Sequence, residues 1–187
     1  MPLYEFEGRR PQIAVSAFVA ETAIIIGDVR LGEQVYIGHG AILRGDYGTI
    51  EIAAGSAVEE GAILHINPGA LCRIGRRVTI GHGAKLHCPE IGDGAVIGIG
   101  AILSFNVRVG EWSIVAEGSV VPNGKTVPPG VIVAGNPAVE IARVEQRHRD
   151  FWNYGKDLYA DLARRYPHGC RRLDTKPQNP GEVIDRE

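Results

Sequence analysis

Three histidines in this chain stand where side chains can do chemistry together: His65 in AILHINPG, and His82 and His87 in TIGHGAKLHC. Neutral imidazole serves as a metal ligand or as a general base, and its surroundings decide which. His65 and His87 each follow an aliphatic residue, Leu64 and Leu86, and lie 22 residues apart. His82 lies two steps after Ile80 and five residues before His87. Such spacing has spatial meaning only in a periodic chain.

The chain is periodic. Steps of six from Ile13 reach Val19, Ile25, Leu31, Ile37 and Leu43, and a second run climbs from Ile91 through Ile97, Leu103, Val109, Val115, Val121 and Val127 to Val133. Two shorter runs, Ile52/Val58/Leu64 and Ile74/Ile80/Leu86, lie between them. Many of these aliphatics are followed by Gly, as in Ile37-Gly38 and Ile80-Gly81. Self-similarity at a hexapeptide period marks a parallel β-helix. The aliphatic points inward, the Gly permits the corner, and three sides make a triangular coil whose neighbours lie about 4.8 Å away. The predicted fold class is all-β, a parallel β-helix followed by a C-terminal α-helix.

The phase of the repeat places the histidines. His65 and His87 share a phase and stack outward on adjacent coils of one face. His82 looks out from a different side of the triangle. It meets the other two only across a three-fold axis, so the spacing predicts metal sites at the interfaces of a homotrimer. His39 is an internal control. YIGHGAIL around it echoes TIGHGAKL around His82, but Arg44 stands where His87 should match. His39, His148 and His168 are read as structural.

Composition bounds the rest. A length of 187 residues suits one domain plus an appendage, and 6% aromatics with 25 glycines suits narrow coils. A net charge of −2 gives no basic patch for nucleic acid or an anionic membrane. No apolar run is long enough to span a bilayer, and the opening MPLYEFEGRR has no signal-peptide core. Cys72, Cys88 and Cys170 show no disulfide framework, which points to a reducing, cytoplasmic location. The expected domains are 1–138, the β-helix, and 139–187, a helix and polar tail packing on it. The six-step phase slips at 44–51 (RGDYGTIE) and 65–73 (HINPGALCR), where loops should leave the coil. From about 140 to 166, Val144, His148, Phe151, Leu158, Leu162 and Tyr166 form one apolar helix face. The tail DTKPQNPGEVIDRE is predicted to be disordered.

The stretch R-G-D at 44–46, the His at 65 and V-T-I-G-H-G-A-K-L-H at 78–87 resemble the γ-class carbonic anhydrase family over nearly the whole chain. The closing V-P-P-G-V-I-V-A-G-N-P-A at 127–138 and L-Y-A-D-L-A-R-R-Y at 158–166 extend the resemblance. It implies a left-handed β-helix and a homotrimer with one metal per interface, held by His65, His82 and His87. Zn²⁺ is the usual ion, with Fe²⁺ or Co²⁺ as substitutes. Three imidazoles leave an open position for water, whose pKa the metal lowers to about 7. The implied reaction is reversible hydration of CO₂ to bicarbonate, a lyase activity. The family pairs its Arg and Asp, here Arg44 and Asp46, across the subunit contact.

The chain departs from that family at several points. Where a Gln usually orients the metal-bound hydroxide stands Glu59, followed by Glu60 where Asp is usual. A carboxylate at 59 can take a proton from the bound water, or raise that water's pKa. Tyr47 replaces a second acidic residue, and the acidic proton-shuttle loop is reduced to HINPGALC. Cys88, beside His87, is a candidate fourth ligand. The candidate catalytic residues are therefore Glu59, Arg44, Asp46 and Tyr47. Two other classes stay open: a hexapeptide acyltransferase or thioesterase acting on acyl-CoA, with a His near the interface as base, and a catalytically weak or non-catalytic trimeric scaffold.

Overall fold

A computed structural model of the protein describes residues 3–87 and 89–173. Cys88 and the polar tail 174–187 lie outside the described residues, so neither the fourth-ligand reading nor the disorder expectation is addressed. The chain winds into a left-handed parallel β-helix with one C-terminal helix, α1 (Gln146–Gly169).

The six-step aliphatics form three inward columns, one per side of the triangle. Val19, Ile37, Val58, Ile80, Ile97, Val115 and Val133 stack through successive parallel pairings. Ile25, Leu43, Leu64, Leu86, Leu103 and Val121 form the second column. Ile13, Leu31, Ile52, Ile74, Ile91, Val109 and Val127 form the third. All are buried except Ile13, which is half-buried at the open end. Each such burial contributes about 1.5–3 kcal/mol, so the columns are the main source of stability.

Glycine serves the coil in two phases, and only one was expected. Gly81 follows its anchor with ordinary backbone angles, but a Cβ there would sit 2.8 Å from the Ile99 nitrogen of the next coil. Close approach of stacked coils therefore demands glycine at that step. The left-handed corner falls two residues later, at Gly83, where φ is +66°. The same phase holds Gln34, Arg77, Asn106 and Trp112, four of the five non-glycine residues with a positive φ among the described residues.

The slip at 44–51 does not form a loop. Ile42–Ile52 is one continuous strand that runs through the corner and pairs with Ile24–Leu31. The extra residues are absorbed as a register shift: Gly27 faces Gly45, but Val29 faces Ile50. These through-going strands join two sides of the triangle into a 12-stranded sheet, leaving an 8-stranded sheet as the third. The second slip is a real loop, between strands Ile63–His65 and Leu71–Ile74.

The stack ends in an antiparallel return, Ala138–Arg143 along Val131–Gly135. The helix therefore begins later than its periodicity predicts. His148, read as structural, caps it: its Nδ1 accepts from the Glu145 N–H at 2.9 Å. The inward face of α1 overlaps the predicted one at Leu162 and Tyr166 and departs from it elsewhere. Phe151 and Leu158 are 69% and 47% exposed, while Lys156 and Ala163 are buried. Lys156, Tyr159, Ala163 and Tyr166 line the contact because the surface beneath is not uniformly apolar. Tyr36 and Phe18 wait there for the tyrosine rings, with Tyr36–Tyr159 centroids 5.2 Å apart and Phe18–Tyr166 centroids 4.8 Å apart. The carboxylates Glu59 and Glu60 lie beside them and demand polar partners.

Candidate active site

His65 and His87 end the strands Ile63–His65 and Lys85–His87, which pair in register so that one histidine faces the other. Their rings meet edge to face at 4.6 Å. Arg44 continues the row in register with His65, and its guanidinium donates to His65 Nε2. His87 Nε2 donates to Asn67 Oδ1 at 2.8 Å, and its ring lies 3.7 Å from that of Phe105. Burial, then the Arg44 charge, holds both imidazoles below their usual pKa. A shallow concavity of about 290 Å³ opens over the pair, lined by Ile63, Lys85, Ile102 and Phe105 among others.

Arg44 pairs with Asp46 within the chain, Nε to Oδ2 at 3.3 Å. Tyr47 is exposed, and its backbone N–H donates to the Asp46 carboxylate at 3.0 Å. Asp46 and Tyr47 lie on the strand Ile42–Ile52, in the sheet that also carries His65 and His87.

His82 lies on the other sheet, after strand Thr79–Ile80, between Gly81 and Gly83. Two carboxylates of the preceding coil hold its ring. Nε2 is 3.1 Å from Glu59 Oε2, and Nδ1 is 2.9 Å from Glu60 Oε2. The His82 backbone N–H also donates to Glu59 Oε2 at 3.1 Å. Glu60 in turn accepts from the Tyr36 hydroxyl at 2.8 Å. Glu59 is only 5% exposed. Burial raises its pKa, opposed by His82 and by a hydrogen bond from Tyr159 on α1.

The signal for Glu59 was present in the repeat. One step after the anchors of this side stand Ala20, Gly38, Glu59, Gly81, Gly98, Ala116 and Ala134. Glu59 alone breaks a column of small residues, and the chain spends buried volume on a carboxylate there. Lys156 and Tyr159 were missed because the helix was read for apolar spacing only. Lys156 is 1% exposed, its Nζ 3.3 Å from Thr79 Oγ1 and 5.5 Å from the Trp152 ring centre. Burial, then the Arg77 charge, lowers its pKa to about 7.

A concavity of about 650 Å³ lies elsewhere, over Arg30, Glu51, Arg73, Arg76 and Asp93. Its charges pair along the coils, as Arg30 does with Glu51 at 3.0 Å. It therefore reads as a charge ladder, while the convergent, perturbed groups stand at His82.

No family model matches the chain. Among proteins of known name, the carnitine operon protein CaiE of Salmonella agona is 36% identical over 177 residues, spanning 95% of this chain and 88% of that protein. The protein belongs to the CaiE family. A CaiE protein of Proteus is 32% identical over 98% of the chain and 92% of its own length. The name records an operon and no reaction. Solved structures add the fold kin of CaiE. A hexapeptide transferase family protein from Anaplasma phagocytophilum is 33% identical, with a TM-score of 0.84 over 88% of this chain and 98% of that one. A Bacillus cereus protein assigned as an acetyltransferase is 31% identical, with a TM-score of 0.85 over 88% and 95%.

These kin correct the carbonic anhydrase reading. They are named as CaiE and as transferases, which points to a transferase rather than a lyase, and nothing supports CO₂ or bicarbonate as substrate. The zinc expectation, with its iron and cobalt substitutes, is corrected as well. Among the described residues, no group of three or more His, Cys, Asp or Glu side chains is placed to hold a metal ion. The donors present are engaged otherwise: carboxylates sit at both nitrogens of His82, and a guanidinium faces His65. Among the described residues no helix is long and apolar enough to cross a membrane.

Proposed function

We propose that the protein is an acyltransferase that moves an acyl group from a coenzyme A thioester to an amine or hydroxyl acceptor, with His82 as general base. The observation that carries this reading is the Glu59–His82–Glu60 clamp. Glu59 is buried and doubly attached to His82, through Nε2 and the backbone N–H. It fixes the ring and stabilises the imidazolium that forms when a proton arrives, the role a carboxylate plays beside a catalytic histidine. Glu60 is the movable partner, with 37% of its side chain exposed. When Glu60 turns outward, Nδ1 is open to an acceptor N–H or O–H.

The acceptor's lone pair attacks the thioester carbonyl as its proton passes to Nδ1. The C–S bond then breaks, and the departing thiolate takes the proton from His82. His65 and His87 belong to a second outward face, and their pairing beside Arg44 suits an anionic part of the donor or a contact between subunits. A homotrimer is part of this proposal, as is a cytoplasmic location, where acyl-CoA is made. The names of the transferase kin support the donor class.

The test is release of free CoA thiol from acetyl-CoA in the presence of amine and hydroxyl acceptors. The expected result is acceptor-dependent release that falls on the order of 100-fold or more in His82→Gln, the usual weight of a general base. Release without any acceptor would redirect the reading to hydrolysis of the thioester. No release above buffer with any acyl-CoA would overturn it.

A further inference from the structure

Lys156 is the one buried lysine among the described residues, and the mechanism above does not use it. A lysine almost never enters a protein interior without a partner, because its ammonium loses its hydration there. An apolar side chain would fill the same contact at less cost. Its surroundings are specific. Strand Tyr36–Ile37 pairs with Ala57–Val58, which pairs with Thr79–Ile80, so Tyr36, Ala57 and Thr79 form one row under α1. Glu59 lies two residues beyond Ala57 and continues the ladder through its N–H to the Ile80 carbonyl. Residues two apart on a strand share a face, so Glu59 opens onto the face that α1 covers. Tyr159, one turn along the helix from Lys156, reaches that carboxylate with a hydrogen bond.

The charges around Lys156 come from two elements. Arg77, on the coil beneath, repels it and is itself anchored to α1 through Asp157 at 2.8 Å and Asn153 at 3.1 Å. Glu59 attracts it. The neutral neighbours are the Thr79 hydroxyl and the Trp152 ring. Arg77 therefore has its own acidic partner on the helix, while Glu59, buried on the same covered face but beyond ion-pair distance, is the carboxylate whose field reaches Lys156.

We infer that Lys156 is a positioning residue: its ammonium, sealed beneath α1, is the counter-charge that holds the Glu59 carboxylate on His82. This assignment rests on the proposed role of His82 as base. It makes docking of α1 a condition of an assembled site, because the helix supplies both Lys156 and Tyr159. Burial lowers the pKa of the amine to about 7, so the counter-charge weakens as the solution becomes alkaline.

The test uses the full chain and needs no substrate. The Lys156 amine is titrated through its ¹³Cε resonance in the wild type and in Glu59→Gln. Loss of the carboxylate should lower the midpoint by about one unit, the usual effect of removing a close opposite charge. Arg77→Gln should raise it. In Lys156→Met, which keeps the packing, the ¹⁵N resonance of His82 Nε2 should shift as Glu59 is released. An unchanged midpoint in Glu59→Gln, or an unmoved His82 resonance in a folded Lys156→Met, overturns the assignment. These readings are independent of turnover. A wild type that transfers no acyl group would therefore sink the function reading alone. With an active wild type, Lys156→Met should lose on the order of tenfold in kcat at unchanged KM. A wild-type kcat in that variant also counts against a positioning role.

Discussion

His65 and His87 on one side of the triangle, and His82 on another, are the same residue type set a few steps apart in one repeat. Their surroundings are opposite. The first pair is half-buried, its rings meet edge to face, and burial together with the Arg44 guanidinium favours the neutral imidazoles. His82 is gripped by two carboxylates and backed by a helix that buries one of them. A β-helix makes such contrasts cheap. Each side of a coil is built by the same inward anchors, so outward residues can be varied face by face without disturbing the core. The lesson is that an equivalent spacing does not confer an equivalent role. What a histidine does here depends on which charges the neighbouring coil or helix brings to it.

The contrast can be broken first at the level of turnover. His82→Gln should abolish most acyl-CoA-dependent activity, while His87→Gln should change kcat by no more than severalfold and act chiefly on KM. Steady-state kinetics of the two variants side by side check this. Equal losses in kcat would mean that both faces form one reaction centre.

The next effect is on stability. The Lys156 amine has a pKa of about 7 in the folded protein against 10.5 for the free side chain. A lowered value means that the unfolded chain binds more protons between those limits, so folding is favoured as pH rises through them. Below pH 7 the folded protein carries a buried charge at full cost. Lys156→Met should therefore be more stable than the wild type at pH 6, by at most about 5 kcal/mol from the size of the shift. The gap should narrow steadily toward pH 10. Urea unfolding across that range is the measurement, and a pH-independent gap would show that the amine is not perturbed. No comparable trend is expected from substitutions at the His65 face.

The smallest effect sharpens the other face. Arg44→Gln should raise the pKa of both His65 and His87, because the guanidinium that disfavours their charged forms is removed. NMR titration of the imidazole protons reads this directly.

Much of this was legible in the residues. The three aliphatic columns, the stacking of His65 on His87 and the separate side of His82 follow from counting in sixes, because each inward position of a β-helix repeats its neighbour. Other parts were not. The stretch 44–51 was read as a loop because its phase slips. The strand instead runs on through the corner, and a register shift absorbs the extra residues. Of the predicted helix face, Leu162 and Tyr166 do pack inward, but Phe151 and Leu158 are exposed, and the buried side also carries Lys156 and Tyr159. Apolar spacing misses the polar part of the stripe when the surface beneath is charged. The metal reading failed for a related reason. The spacing identified three histidines that could be ligands, and spacing says nothing of the carboxylates and guanidinium that already hold their nitrogens.

The sequence alone determined the coil, its three inward columns and the phase of every outward side chain, because a hexapeptide repeat is a local rule applied again and again. Only the tertiary structure decided which outward side chains share a site. That choice depends on α1 folding back over one side of the triangle, and no repeat encodes where a helix some 70 residues downstream will lie. The helix brings Lys156 and Tyr159 to Glu59, and Glu59 holds His82. His65, His82 and His87 thus began as one set by spacing and became two by packing.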